Sequence, residues 1–238
     1  GQISSASIPT CHGAPMRVVD LSMAIAPHFR WKPEITVTGN IAQGDQFRVT
    51  RLSTTCHGFT HVDAMAHFIA DAPTIEHTDL SRVVGPARVF DLSLVEPNTP
   101  IEPDVLAAAD PGGAEGEILL LAAQWDRRRD FTTRSFWTEA PWLTRASAEW
   151  LLERRPSAVA VDFPQDYPIR LLLDGKVVPD EEHVTHDVLL RNGVTLIEYV
   201  VNTASLTSRR VLLSAAPLKI EGADGAPARV YAIEGLTV

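Results

Sequence analysis

Four side chains that commonly bind metals are concentrated in the stretch CHGFTHVDAMAHF, residues 56–68. They are His57, His61, Asp63 and His67. Side chains alternate between the two faces of an extended chain, so odd-numbered residues would share one face. On a helix, position 63 would instead point roughly 200° away from position 61. An extended backbone therefore predicts that His57, His61 and Asp63 converge on one point, with His67 close by on the turn that follows.

Two imidazoles and a carboxylate that converge are suited to a divalent metal ion. Imidazole favours zinc, iron, copper or nickel, and a carboxylate also tolerates manganese. Three protein ligands leave one position open for water, as in catalytic zinc sites, and the metal lowers the pKa of that water. His67, beyond the three ligands, is placed to move a proton. The alternative is that these histidines only form hydrogen bonds within a loop.

The segment HGFTHVDAMAH (57–67) resembles the H-x-G-T-H-x-D-x-P-x-H signature of the cyclase-like metal-dependent hydrolases. This family includes bacterial kynurenine formamidase and isatin hydrolase. The three histidines, the threonine and the aspartate match the signature, whereas Phe59 replaces the family glycine and Met65 replaces the proline. A phenylalanine at position 59 is expected to narrow or reshape the substrate pocket, so the motif indicates the chemistry better than the substrate.

A second pair of candidate ligands lies in the stretch HDVLLRNGVTLIE, residues 186–198. The formamidase branch of the family has a distal histidine on a helix and a glutamate twelve residues later on a strand, and His186 and Glu198 have this spacing. Glu198 also interrupts the apolar run 194–201, where an unpaired buried carboxylate would be costly. A metal would stabilise its ionised form, whereas His186 alone is equally well explained as a histidine in a capped helix.

The resemblance implies one or two divalent ions, usually zinc and sometimes manganese. His57, His61 and Asp63 would bind one ion. His186 and Glu198 would complete a second site, with Asp63 or a water between the two ions.

The activity that the resemblance implies is cleavage of the C–N bond of a small amide related to N-formylkynurenine by a metal-activated water. His67 would move the proton, and Phe59, Trp31 and Phe29 would line an apolar pocket. Two alternatives stay open. One is a mononuclear manganese hydrolase of a cyclic amide such as isatin, and the other is a non-catalytic protein that binds a metal or a small molecule.

The elements that must position these residues alternate between short strands and helices. Apolar runs predict buried strands at 87–94, 117–123, 157–162 and 194–200, and a roughly alternating run predicts another at 46–54. The segment 27–35 is predicted to be a loop. Helical patterns cover 103–109, 137–154 with Ser147 as N-cap, and 183–193 with Thr185 as N-cap and Gly193 at the C-terminal end.

The C-terminal stretch PLKIEGADGAPARVYAI contains an Asp-Gly pair that predicts a turn between two strands. The stretch also resembles the closing hairpin of the cyclase-like family, so the resemblance spans most of residues 17–234. Pattern and resemblance together predict a single α/β domain, 17–238, with the mixed-sheet swivelling β/β/α fold of that family. Residues 1–16 are expected to be an arm outside the domain, either disordered or left over from cloning.

The composition is that of an ordinary globular protein: of 238 residues, 45% are hydrophobic and 21% are charged. The net charge of −9 argues against a nucleic-acid partner, which needs a basic surface. No apolar run approaches the ~20 residues that span a bilayer, and residues 1–16 lack the pattern of a secretory signal. Two cysteines do not make a disulfide framework. These features predict a cytoplasmic protein with a small-molecule substrate, and the family resemblance adds a homodimer or homotetramer.

Overall fold

A nine-stranded mixed sheet organises the structure, a computed structural model that describes residues 15–236. The strands are β1 (Arg17–Asp20), β2 (Glu34–Gly39), β3 (Val49–Ser53), β4 (His61–Asp63), β5 (Val84–Asp91), β6 (Pro100–Ile101), β7 (Ile118–Ala122), β8 (Trp142–Leu143), β9 (Ala158–Val161), β10 (Thr195–Glu198), β11 (Arg210–Ser214), β12 (Gly225–Pro227) and β13 (Tyr231–Glu234). The helices are α1 (Pro103–Ala109), α2 (Trp125–Arg128), α3 (Arg134–Thr138), α4 (Arg145–Glu153), α5 (Ile169–Leu172) and α6 (Val184–Val188). The predicted arm, 1–16, lies outside the described residues except for positions 15 and 16.

The order of strands in the large sheet is β1-β13-β11-β5-β7-β9-β10-β4-β12. The four central strands β5, β7, β9 and β10 are parallel, and the strands on both sides of them are antiparallel. The sheet and the helices packed on it confirm the predicted α/β class. Since binding sites in such sheets usually lie beyond the carboxyl ends of the parallel strands, residues that follow β9 and β10 are natural candidates for function.

The central strands are buried on both faces, which explains their continuous apolar sequences. In β7, Leu119 and Leu121 point into a core that also contains most of the aromatic side chains, whereas Ile118 and Leu120 point into a second core on the opposite face. Strand β9 alternates between the two cores in the same way. The sheet is thereby packed between two apolar layers, which fix the position of its strands.

Two predicted helix boundaries were wrong. The segment 137–154 does not form one helix, because Pro141 cannot donate a backbone hydrogen bond and the residues after it form the short strand β8. The N-cap of α4 is Thr144, whose hydroxyl accepts from the backbone N–H of Ser147 at 3.2 Å. Ser147 is buried one turn into the helix and donates to the carbonyl of Ile101.

The helical segment that carries His186 also starts differently from the prediction. Thr185 is inside α6, and its hydroxyl donates to Asp166 at 2.8 Å instead of capping the helix. Gly193 has a φ of 82° and closes the following 3-10 turn, as predicted for a glycine at a helix end. From there the chain enters β10, which ends at Glu198.

The Asp-Gly pair near the C-terminus does not form a hairpin turn. Residues 225–227 instead form the edge strand β12, which pairs antiparallel with β4. Strands β11 and β13 pair directly with each other, although the chain between them runs to β12 at the opposite edge of the same sheet. Backbone hydrogen bonds between β12 and β4 hold this connection in place, and the pairing sets Gly225 opposite Asp63.

Strands β2 and β3 form a hairpin that is separate from the large sheet. The predicted strand within 46–54 is confirmed as β3, but β2 begins at Glu34, inside the segment predicted to be a loop. Ile35 pairs with Leu52, and Val37 pairs with Thr50. Within residues 15–236, no helix is long and apolar enough to cross a membrane.

Candidate metal centre

Strands β4 and β10 bring the first candidate ligands together. Glu198 lies directly opposite His61 in the antiparallel pair, so their side chains share one face of the sheet. Asp63 is two residues beyond His61 and points to the same face. The extended conformation predicted for the whole motif therefore holds for 61–63, whereas His57 lies in the preceding turn and His67 ends a 3-10 turn.

Asp63 is the residue that joins the predicted ligands. Its Oδ1 lies 2.9 Å from His57 Nδ1 and 3.2 Å from His61 Nε2. Its Oδ2 lies 3.4 Å from Nε2 of His186, which comes from α6. Glu198 Oε2 is 3.2 Å from His61 Nε2, and Glu198 Oε1 is 3.6 Å from His186 Nε2. All five residues that were proposed as ligands from the sequence thus meet at one place, although they come from three segments of the chain.

The orientation of His61 suits a metal ligand. Its Nδ1 lies 2.9 Å from the backbone carbonyl of Phe59, so the proton is held there and Nε2 faces Asp63 and Glu198. His61 Nε2 and Asp63 Oδ2 are buried and have no hydrogen-bond partner among the described residues. Buried polar atoms of this kind require an explanation, and a divalent cation between imidazole and carboxylate supplies one.

Two groups of potential ligand atoms are compact enough to surround an ion. One consists of His61, Asp63 and Glu198, and the other of His57, Asp63 and His67; within each group all ligand atoms lie within 4.8 Å of one another. Asp63 belongs to both groups, as expected for a bridging carboxylate. The grouping differs from the expected partition, in which His57 and His61 share an ion and His67 binds none.

The protonation of the centre follows from its burial and its charges. Burial disfavours a charged Asp63, but the adjacent imidazoles of His186, His57 and His61 hold its pKa well below its usual range. Burial also opposes a charged His61, yet Asp63 and Glu198 raise the pKa of His61 to about 10. Without a metal, the carboxylates therefore keep these imidazoles protonated. A bound cation would replace the protons, because only neutral imidazole binds a metal.

His67 differs from the other histidines of the centre. Its ring stacks on the His57 ring with centroids 3.7 Å apart, and its Nδ1 is 3.5 Å from Asp224 Oδ2. Burial, together with the nearby His57 and His186, lowers the pKa of His67, while Asp63 acts in the opposite direction. A neutral imidazole at the edge of the centre can accept a proton, which is the role predicted for this residue.

Asp166 is a functional candidate that the sequence did not reveal. Its Oδ2 lies 2.8 Å from His186 Nδ1, and its Oδ1 accepts from the backbone N–H of Thr185 at 2.9 Å. A carboxylate behind a histidine fixes the tautomer of the ring, so here Nε2 of His186 is directed at Asp63 and Glu198. Gln165 donates to Glu198 from the adjacent position. The stretch DFPQD directly after β9 was the available signal, since it places polar side chains at the carboxyl end of a central strand.

Asp224 was also missed as a site residue. Its Oδ2 lies 3.0 Å from His57 Nε2, so His57 is held between two carboxylates, those of Asp63 and Asp224. The sequence predicts a turn at Ala223-Asp224-Gly225, and only the pairing of β12 with β4 brings this segment to the centre.

A cavity of about 350 Å³ opens onto the centre. Its lining consists of Arg30, His57, His67, Phe68, Ile169, Leu172, Asp180, His183, His186, Glu198 and Tyr199. The aromatic residues predicted to line the pocket are not among them. Phe59 is 1% exposed and packs in the core against Trp31, with ring centroids 4.7 Å apart. Phe29 is exposed and stacks on His28.

The conformation of Phe59 explains why it does not narrow the cavity. Its φ is 59°, in the left-handed region where glycine is favoured. This backbone turns the side chain into the core while its carbonyl accepts from His61. The prediction that Phe59 reshapes the pocket is therefore replaced by a role in packing.

A family model described as "Putative cyclase" matches residues 19–165. The chain belongs to this cyclase family. The match includes the whole histidine motif and the loop after β9 up to Gln165, and it confirms the resemblance found in the sequence.

Individual relatives of this cyclase-family protein support the family assignment. Kynurenine formamidase of Bacillus cereus is 29% identical over 181 residues, which cover 76% of this chain and 78% of the relative. Kynurenine formamidase of Geobacillus thermodenitrificans is 27% identical over 216 residues, covering 89% and 94%. Isatin hydrolase A from Labrenzia aggregata, solved with benzyl benzoate, matches with a TM-score of 0.78 and 21% identity, covering 93% of this chain and 94% of that one. The last comparison confirms the cyclase-like fold.

Proposed function

We propose that this protein is a metal-dependent hydrolase that cleaves the C–N bond of a small aryl amide, with an arylformamide as the first candidate substrate. The observation that carries the proposal is the buried carboxylate of Asp63, which three histidines approach within 3.4 Å beside Glu198. The similarity to kynurenine formamidases supports the hydrolysis of an amide bond. The cavity supports a small substrate, because its volume of about 350 Å³ is near the lower limit for ligand pockets.

The proposed ligands are His57, His61, Asp63, His186 and Glu198. Their imidazole and carboxylate atoms suit zinc, which is the first choice, and manganese, which is the alternative. When bound, such an ion supplies an activated water and polarises a carbonyl oxygen. The two compact groups around Asp63 support a site for two ions.

The protein's own residues would then control proton movement and orientation. His67 is assigned the proton transfer, since its lowered pKa leaves it neutral and able to accept a proton from water and return it to the leaving nitrogen. Asp166 holds His186 in one tautomer through Nδ1. Phe68, Ile169 and Leu172 give the cavity an apolar wall on which an aromatic ring can pack.

A second candidate is a hydrolase of a cyclic amide, such as isatin, that uses a single manganese ion. The group of His57, Asp63 and His67 favours it, because these three residues can surround one ion without Glu198. A metal content near one per chain, together with a Glu198→Gln variant that keeps both its metal and its activity, would support this candidate. Loss of metal and of activity in Glu198→Gln would support the site for two ions.

The decisive experiment begins with removal of all metal and reloading with zinc or manganese, followed by a metal count per chain. Hydrolysis of N-formylkynurenine, formanilide and isatin is then measured. Stoichiometric metal and hydrolysis of at least one amide are expected. Absence of bound metal would contradict the proposal, and bound metal without hydrolysis of any amide would favour the non-catalytic binding protein.

The oligomeric state and the location are further proposals. A homodimer or homotetramer is supported by the hairpin β2–β3, whose apolar side chains Ile35, Val37 and Leu52 are each 45–49% exposed. These three side chains share one face, because Ile35 pairs with Leu52 and Val37 lies two residues beyond Ile35. A cytoplasmic location remains the expectation from the sequence.

A further inference from the structure

Arg30 lies in the wall of the cavity that also contains His57, His67 and Glu198. Its guanidinium carbon is 4.3 Å from the centroid of the Trp137 ring. Its Nη1 is buried and has no hydrogen-bond partner among the described residues. No described carboxylate forms an ion pair with this side chain within 4.0 Å. Arg30 is thus a cation beside the proposed reaction site whose buried Nη1 donor is not satisfied by residues 15–236.

An unsatisfied buried N–H donor on a guanidinium group is costly. The Trp137 ring below the guanidinium carbon stabilises the charge, but it does not give the buried N–H donor an oxygen acceptor. A buried donor without an acceptor loses its hydration without replacement. The geometry that removes this cost is a planar acceptor in the cavity, because guanidinium binds a carboxylate through two parallel hydrogen bonds.

The backbone holds Arg30 in position through His28. The N–H of Arg30 donates to His28 Nδ1 at 3.1 Å, and His28 Nε2 lies 2.9 Å from the carbonyl of Phe131. Burial lowers the pKa of His28, so the ring stays neutral and its two nitrogens can serve as one acceptor and one donor. The N–H of Lys32 donates to the carbonyl of His28 at 3.0 Å and closes the turn. His28, to which the sequence assigned no role, therefore fixes the loop that presents Arg30.

The rest of the cavity complements an anionic aromatic molecule. Phe68, Ile169 and Leu172 are apolar, and His57, His186 and Glu198, which are proposed metal ligands, line the same cavity. Asp180 also lines the cavity, but it is exposed to solvent, which screens its charge. An aryl amide that carries a carboxylate could place its ring on the apolar wall, its amide at the metal centre and its carboxylate at Arg30.

We infer that Arg30 is a specificity-determining residue that binds a carboxylate of the substrate. This inference rests on the proposed hydrolase function. It assigns to Arg30 recognition of the substrate and no part in bond cleavage.

The kinetic test compares two substrates that differ in one group, N-formylanthranilate with a carboxylate and formanilide without it. The metal-loaded protein should prefer N-formylanthranilate, and Arg30→Gln should lower kcat/KM for that substrate by about 10- to 100-fold, the range expected for loss of a charge-assisted hydrogen bond. For formanilide the change should stay within about twofold. Arg127→Gln, which removes the same charge from an exposed position outside the cavity, is the matched control.

A binding measurement on the metal-free protein separates this inference from the proposed function. Titration with benzoate and with the neutral benzamide should show that Arg30→Gln weakens binding of benzoate only. If no amide is hydrolysed, the hydrolase proposal fails while the benzoate result still tests Arg30. Equal losses for both substrates, or unchanged benzoate binding in Arg30→Gln, would overturn the role of Arg30 and leave the hydrolase proposal intact.

Discussion

Asp63 shows how much one buried side chain determines in this centre. Three imidazoles lie within 3.4 Å of its two oxygens, and Glu198 reaches two of these imidazoles from the facing strand. The carboxylates stabilise either protons or a cation, so each residue of the centre depends on the charge of the others. Substitutions here therefore separate into those that remove a ligand, those that move a proton and those that orient a ring.

His67 should be required for the reaction but not for metal binding. His67→Ala is expected to retain the metal content of the wild type and to lose about 10²- to 10⁴-fold in kcat, the usual contribution of a general acid–base group. Because the pKa of His67 is lowered, the neutral base form persists below pH 6.5, and wild-type activity should decline only at more acidic pH. The pH profile of kcat/KM checks this. Loss of metal from His67→Ala would instead make His67 a ligand, as the compact group with His57 and Asp63 allows.

Asp166 should act on the metal through His186. Asp166→Asn keeps an acceptor of similar shape but removes the charge behind Nδ1, and metal affinity should fall by about 10- to 100-fold. Competition with a chelator measures the affinity. Asp174→Asn, in an exposed ion pair with Arg134, is the control and should bind metal like the wild type. Unchanged affinity in Asp166→Asn, with both variants equally stable when metal-free, would contradict the orienting role.

At the scale of elements, the centre depends on the position of β4 between β10 and β12. Pairing with β10 sets Glu198 against His61, and pairing with β12 sets Gly225 against Asp63. A Cβ atom at position 225 would lie 2.7 Å from His57 Cε1 and 2.9 Å from the carbonyl of Val62. Strand β12 can therefore approach the His57 ring only because residue 225 has no side chain.

Gly225→Ala should displace His57 without preventing folding of the rest of the sheet. The added methyl group conflicts with the imidazole and with backbone, so metal affinity and activity should both fall at least about tenfold. Gly85→Ala in β5 is the matched control, because a Cβ there meets no atom within 4 Å. Metal titration and thermal unfolding of both variants provide the comparison. If Gly225→Ala bound metal as well as Gly85→Ala does, the close approach would have no functional importance.

At the scale of the whole molecule, the hairpin β2–β3 carries a half-exposed apolar face. One face carries Ile35, Val37 and Leu52, while Thr36 and Arg51 occupy the other face. A two-stranded hairpin with an uncovered apolar face is barely stable in water. Residues 34–53 contain two acidic and two basic side chains, whereas the whole chain has a net charge of −9. A second, equally acidic copy would meet little net repulsion from this neutral segment.

Leu52→Asp should therefore weaken self-association. The substitution removes an apolar side chain from the proposed interface and places a charge there. The dimer dissociation constant should therefore rise by at least about tenfold. Thr36→Asp adds the same charge to the opposite face of the hairpin and should leave association unchanged. Sedimentation analysis over a range of protein concentrations distinguishes the two. A wild-type protein that is monomeric throughout that range would contradict the proposed dimer surface.

The sequence by itself determined the ligand types and the buried strands. The motif at 57–67, the spacing of His186 and Glu198, and the apolar runs of β5, β7, β9 and β10 are local patterns, and local patterns are visible in one chain. The tertiary structure decided which distant residues join them. Cross-strand pairing brings the segment of Asp224 to His57, and the loop after β9 brings Asp166 to His186.

Two differences from the sequence-based expectations come from backbone conformation, which a residue pattern does not reveal. The side chain of Phe59 lies in the core because its backbone has a positive φ, and no periodicity signals such a conformation. Arg30 reaches the cavity because His28 fixes its loop through backbone hydrogen bonds. Residue types therefore determined the chemistry of the centre, whereas backbone conformation and packing between distant segments decided which side chains face the substrate.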